Sequence, residues 1–207
     1  MSFSLPASPQ VLEETVAAVG SRGIAVEVVD TRREALERIK RLIPPGASVM
    51  SGASVTLREI GFEALLISKD HPWRNLKEAI LSEKDPQRQM SLRKQAVLAD
   101  YFLGSVHAIA RTGELVVASA TGSQLGPYAY TSSNIIWVAG TQKIVSTVEE
   151  GIRRIREYII PHEEKRMREL TGGKLGTMEG KLLIFERESP RLGRKLILLL
   201  VKEPVGD

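Results

Sequence analysis

The chain has 207 residues, long enough to bury a core without disulfide or metal staples, and its 43% hydrophobic and 26% charged residues fit an ordinary globular domain. With no cysteine, it cannot form disulfides, thiolate zinc sites, Cys-ligated iron–sulfur clusters or a cysteine nucleophile. The net charge of +4 comes from 29 basic against 25 acidic residues, and these are mixed within helical segments such as 31–41, which reads as a solvated helix face rather than a nucleic-acid patch, so no nucleic-acid partner is expected.

Only His71, His107 and His162 are available as imidazole ligands, and they are scattered, so no metal site and no cofactor is expected. The start, MSFSLPASPQVLEE, has no basic region leading into an apolar one. No apolar run approaches the roughly 18 to 20 residues of a membrane helix. The expectation is a cytoplasmic protein with no membrane partner.

Ser8-Pro9 predicts a capped helix with proline in its first turn, and Leu12, Val16 and Val19 recur at helical spacing. Residues 24–29 read as a strand. Thr31 and Glu34 form a capping box for a helix whose apolar stripe is Ala35, Leu36, Ile39, Leu42 and Ile43. Pro44-Pro45-Gly46 stops it, residues 47–50 form a short strand, and Ser51-Gly52-Ala53-Ser54 turns into a third helix. Two strand–helix units in succession argue for parallel strands joined by crossovers.

Residues 68–104 are polar and helical, and are expected to be an insertion or lid within one domain spanning 1–207. Arg111-Thr112-Gly113 separates two short strands as a hairpin. Residues 121–127 form a loop and 135–139 a strand. Thr147 and Glu150 cap a helix reaching about Ile160, after which His162 opens a polar segment. Two last apolar runs, 182–185 and 196–201, read as a terminal antiparallel pair. The expected fold is a three-layer α/β/α domain with a mostly parallel, Rossmann-like sheet.

Three loops lie at strand ends, where open α/β sheets bind ligands. In the first, Gly52 lets a ligand approach the backbone while Ser54 and Thr56 offer hydroxyls; serine here also caps its own helix. It has neither the glycines nor the lysine of a Walker or dinucleotide motif. In the second, Gly122 and Gly126 with Thr121, Ser123 and Gln124 can present amides to an anion. The third, Gly140-Thr141-Gln142-Lys143, supplies a hydroxyl and a point charge. Glu114 and Glu59 are the carboxylates best placed for general acid or base work, with no partner at fixed spacing. His107, in an apolar strand, reads as a structural histidine.

Three blocks in order carry a resemblance: Ser51-Gly-Ala-Ser-Val-Thr-Leu-Arg-Glu-Ile-Gly61, Ala99-Asp-Tyr-Phe-Leu-Gly-Ser-Val-His-Ala-Ile-Ala-Arg-Thr-Gly-Glu-Leu115 and Ile135-Ile-Trp-Val-Ala-Gly-Thr-Gln-Lys-Ile-Val145. Together they resemble the LUD-domain family, the lactate-utilization proteins, over about residues 9–170. The resemblance implies a fold like ribose-5-phosphate isomerase, class I CoA transferases and formyltetrahydrofolate cyclo-ligase, with the ligand at the strand ends. It carries over Ser51, Gly52, Ser54, Thr56 and Glu59, then Thr112, Gly113 and Glu114, then Gly140 and Lys143. Family members are tied to oxidation of L-lactate to pyruvate within a multi-protein iron–sulfur system.

This chain, without cysteine, would need a cluster-bearing partner for electron transfer. Its tail, from Thr171 to Phe185, also lacks the Gly-Val-His-Gly-Pro segment of the cluster-free lactate-utilization subgroup. The expectation is therefore a domain binding a small anionic metabolite (a carboxylate, phosphate or CoA-type compound). The alternative is a non-catalytic subunit of an iron–sulfur lactate-oxidizing complex, and self-association is left open.

Overall fold

The computed structural model describes residues 3–174 and 176–207, and its first elements follow from their caps. Ser8 Oγ accepts from Val11 N at the start of α1 (Pro9–Gly20), which leads to β1 (Ala25–Val29). Thr31 Oγ1 accepts from Glu34 N, and Glu34 reaches back to Asp30 N, opening α2 (Arg32–Leu42). After β2 (Ser48–Ser51), Ser54 caps α3 (Val55–Glu59), and Gly61, at φ 84°, turns the chain into α4 (Phe62–Ser68).

Next come β3 (Arg74–Asn75), α5 (Leu76–Ser82), α6 (Pro86–Gln95) and β4 (Tyr101–Gly104). The segment 68–104 therefore carries two helices but also two strands of the main sheet. The hairpin at 111–113 joins β5 (Ala108–Ala110) to β6 (Leu115–Ser119), and β7 (Asn134–Gly140) and β8 (Ile144–Val145) follow.

Thr147 caps α7 (Val148–Arg154) as expected, but the helix does not stop near residue 160. A π-helical turn at Ile155–Ile159 passes directly into α8 (Ile160–Thr171). Pro161 has no N–H to give, and it sits in the first turn of α8, where that donor is not required. His162 therefore lies on a helix, its Nδ1 2.6 Å from Tyr158 O. The chain ends through β9 (Lys181–Phe185) and β10 (Lys195–Val201).

Six strands form an all-parallel sheet in the order β1–β10–β7–β4–β2–β3, flanked by helices. This is the expected α/β class. On one face Val49, Leu103, Ile136, Val138, Leu199 and Val201 meet Ala35 and Ile39 of α2, Leu57 of α3, and Phe62 and Leu66 of α4. On the other, Phe102, Ile135, Trp137, Leu198 and Leu200 meet Val19 of α1 and a second sheet.

That second sheet has the order β8–β5–β6–β9, and α7 covers its outer side. A Cβ on Gly151 would stand 3.0 Å from Ala108 Cβ, so glycine lets α7 lie directly on the strands. Among the described residues, no helix is long and apolar enough to cross a membrane.

The terminal strands correct one expectation. They do not pair with each other: β9 runs antiparallel to β6 in the small sheet, while β10 lies parallel between β1 and β7. The reason is in their side chains. Leu196, Leu198, Leu199, Leu200 and Val201 are all buried, because a central parallel strand is covered on both faces. In β9, Ile184 is exposed beside buried Phe185, as in a sheet with one wet face.

Gly104 ends β4 where the ring of Tyr128 packs between Phe102 and Trp137. A Cβ there would lie 1.6 Å from Tyr128 Oη, on a fully buried side chain. Gly104→Ala should cost about 1–3 kcal/mol by overpacking, read as a lower thermal midpoint.

Candidate functional site

Four parallel strands of the main sheet end on the same side. Beyond β2 run Gly52, Ala53 and Ser54, and beyond β4 run Ser105, Val106 and His107. Beyond β7 a 3-10 turn holds Thr141–Lys143, and beyond β10 come Val205, Gly206 and Asp207. Between these ends, the loop after β6 and the first half of α8 lies a cavity of about 400 Å³. Its position outside the carboxyl ends of the strands is the one the fold favours for a ligand.

Lys143 lies at its floor, 3% exposed. Nζ is 3.0 Å from Thr56 Oγ1 and 3.2 Å from Ser105 Oγ. The hydroxyl protons fix the polarity of this cluster. Ser105 Oγ is 2.7 Å from Val138 O, a pure acceptor, so it donates there; Thr56 Oγ1 donates to Ser105 Oγ at 3.2 Å. Both oxygens are then acceptors toward Lys143, and two of its N–H bonds are used. Burial, reinforced by the Arg154 guanidinium, pushes the amine down to about 7, against weaker opposing pulls from Asp207 and Glu59.

The surroundings are rich in donors. His107 Nδ1 accepts from Ala118 N at 3.1 Å, which leaves the proton on Nε2 of a ring that lines the cavity. Burial, with Lys143 and Arg154 nearby, holds this imidazole down at about 3, so it is neutral at physiological pH. Arg154 is fully buried and donates to His107 O at 2.7 Å, with the Tyr158 ring 5.2 Å from its guanidinium carbon. Arg58 of α3 lines the cavity with no hydrogen-bond or ion-pair partner for its guanidinium among the described residues, and Arg166 of α8 pairs there with Glu163 at 2.7 Å. Asp207 and Glu63 add negative charge at the rim.

The structure brings Gly52, Ser54, Thr56, Thr121, Ser123, Gln124 and Lys143 to this one cavity. The Gln124 side chain packs on Gly52, where a Cβ would come within 2.6 Å of its Oε1. Ser51 sits beneath, its Oγ 3.3 Å from Lys77 Nζ. Gly122 faces Lys181. Gly140 and Thr141 lie behind Lys143, and Gly140 is required because the Gln142 side chain and Val205 N occupy the space of a Cβ. That same Gln142 donates to Val205 O and Gly206 O at 2.9 Å and so holds the C-terminal segment over the site.

The two expected catalytic carboxylates are elsewhere. Glu114, with Thr112 and Gly113, lies at the far end of β5 from His107, and Arg22 engages its carboxylate. Thr112 Oγ1 donates to the same group. Glu59 accepts from Gly206 N at 2.9 Å, outside the cavity wall. Both are occupied in holding the chain together. Conversely, Ser105, Arg58, Arg154, Arg166 and Asp207 went unread as site residues. Only Ser105, directly after a strand-ending glycine, carried a local signal.

A LUD-domain family model matches residues 12–177. Among solved structures, a DUF162 family protein from Deinococcus radiodurans is similar, with 15% identity and a TM-score of 0.55 over 95% of this chain and 99% of that one. No curated protein matches the chain. The family match spans the strand ends after β2, β4 and β7, with the Lys143 turn and α8, and the structural likeness extends over nearly the whole fold. The chain belongs to the LUD-domain family.

Proposed function

We propose that the protein binds a small anionic metabolite, a carboxylate, phosphate or CoA-type compound, in the cavity at the strand ends. The observation that carries this reading is Lys143: a buried amine facing the cavity, held by two hydroxyls and, among the described residues, with no carboxylate in hydrogen-bond contact. Arg58 on the wall supplies a permanent positive charge, and the ring N–H of His107 a neutral donor. An incoming anion gives the amine the counterion it lacks. Family membership, with its tie to lactate utilization, makes lactate and pyruvate the first carboxylates to try.

The test is a thermal-shift panel of lactate, pyruvate, sugar phosphates, ATP, folates and CoA thioesters. A ligand at about 100 times its dissociation constant adds about 2.7 kcal/mol. That corresponds to a rise of roughly 5 to 10 °C in a chain of this length. Arg58→Ala should weaken binding about tenfold without moving the melting point of the free protein.

The pH dependence has a definite sign. A bound anion raises the Lys143 pKa above its free value of about 7. Binding therefore takes up a proton above that pH, and affinity for lactate, whose charge is constant there, should fall as pH rises through 7. Flat affinity from pH 6 to 9 would remove Lys143 from the site. If no anion shifts the melting point, the weight moves to the alternative, a non-catalytic subunit, tested by co-purification of a cluster-bearing protein.

A further inference from the structure

Lys143 offers more than charge. Ser105 donates its hydroxyl proton to Val138 O at 2.7 Å, and Thr56 has an acceptor for its own in Ser105, so both oxygens can receive an N–H of the amine. A neutral Lys143 spends both N–H bonds on these two oxygens, and its lone pair is then unshared. Nothing else among the described residues hydrogen-bonds Nζ, and the residue lines the cavity. An amine fixed by its hydrogens with a free lone pair is an aligned nucleophile.

From this we propose that Lys143 forms an imine with the carbonyl carbon of an anionic aldehyde or ketone, a carboxylate or phosphate ester, seated in the cavity. The inference rests on the anion-binding reading, which supplies the Arg58 contact that orients the carbonyl. The lone pair attacks the carbonyl carbon and makes the C–N bond. The carbonyl oxygen gathers both hydrogens of the amine, and the C–O bond breaks as water leaves. No oxidant, reductant or metal is consumed.

Burial favours the neutral form of the amine and Arg154 of α7 adds to it, while Asp207 and Glu59 pull the other way. Arg58 of α3, Arg166 and Glu163 of α8, and Glu63 also line the cavity. With its pKa near 7, about half of Lys143 is neutral at pH 7, whereas an ordinary lysine is neutral in roughly one molecule in 3000. The phenol of Tyr128 and the neutral ring of His107 carry no charge in this range.

The experiment incubates the whole protein with cyanoborohydride, which reduces imines and traps them. One arm uses pyruvate as the carboxylate and the other dihydroxyacetone phosphate as the phosphate, and peptide mass mapping locates the adduct. The expected result is labelling at Lys143 at least about tenfold faster than at any other lysine at pH 7, in one arm or both, which also tells which anion the site prefers. Labelling spread evenly over the lysines, or absent from Lys143 with both probes, overturns the proposal.

Lactate, which has no carbonyl, separates the two readings. If it shifts the melting point but no adduct forms at Lys143, the imine falls and anion binding stands. If the adduct forms and neither lactate nor inorganic phosphate shifts the protein or slows labelling, Lys143 is a nucleophile without an anion site, and the anion-binding reading falls together with the seating of the carbonyl by Arg58. The pH profiles should also oppose one another, with labelling rising and lactate affinity falling as pH increases through 7.

Discussion

Lys143→Met should make the protein more stable and abolish its anion binding. The wild-type amine is buried where its charged form is disfavoured, so its pKa falls from 10.5 to about 7. Because the folded value is the lower one, the unfolded chain binds more protons between the two, and stability rises with pH across that window. Well below pH 7 the fold bears the whole cost, at most about 5 kcal/mol, and near pH 7 most of it. Methionine has a similar volume and no charge. Thr56 and Ser105 lose only a donor, since each hydroxyl proton already has its acceptor. A net gain of about 1–3 kcal/mol is expected, a rise of roughly 5 °C. A thermal melt at pH 6.5 checks the gain, and at pH 10 it should shrink. A variant that melts lower than wild type at pH 6.5 would mean that Lys143 is a structural strut. Stability gained with binding lost is the mark of a residue kept for function.

The second large effect lies on the opposite side of the main sheet's strand direction, at Arg194 just before β10. Its side chain is 5% exposed. It donates to Ser132 O at 3.0 Å, Pro127 O at 3.0 Å and Tyr128 O at 2.8 Å. The carbonyls of Pro127 and Tyr128 belong to a single π-helical turn, Pro127–Thr131, and Ser132 follows it. The guanidinium also lies 3.3 Å from Glu188, itself 6% exposed.

Arg194→Met would strip these three carbonyls of their donor and strand a buried carboxylate, at a cost of about 3–5 kcal/mol. The melting point should drop by roughly 10 °C. Glu188→Gln in the same chain removes the stranded charge and should recover part of the loss. Without that recovery, the cost lies in the backbone carbonyls alone. Urea titration of the two variants separates these terms, because the midpoint moves while the slope stays constant.

Much of the local structure was legible because its causes are local. Ser8, Thr31, Ser54 and Thr147 each cap the helix they announce, since a cap involves residues two or three positions apart. The hairpin at 111–113 is likewise set by a glycine at φ 101°. Helix α8 was not legible. Pro161 reads as a stop, but the π-helical turn before it absorbs the missing donor and the helix runs on. The functional loops were found for a topological reason: a turn that follows a strand and opens a helix has to lie at the strand's carboxyl end.

By itself, the sequence determined the α/β class, the caps, the absence of thiol chemistry and three strand-end loops, all consequences of composition or short-range spacing. Only the tertiary structure decided which strands are neighbours. The unalternating run at 196–201 reports burial on both faces, yet says nothing of β1 and β7, its actual partners. It also decided which polar residues meet. Glu114 finds Arg22, 92 positions away, and leaves the site, while Lys143 finds Thr56, 87 positions away, and becomes its floor. An ion pair or a buried amine depends on distance and desolvation in space, and neither quantity exists until the sheet brings its strand ends together.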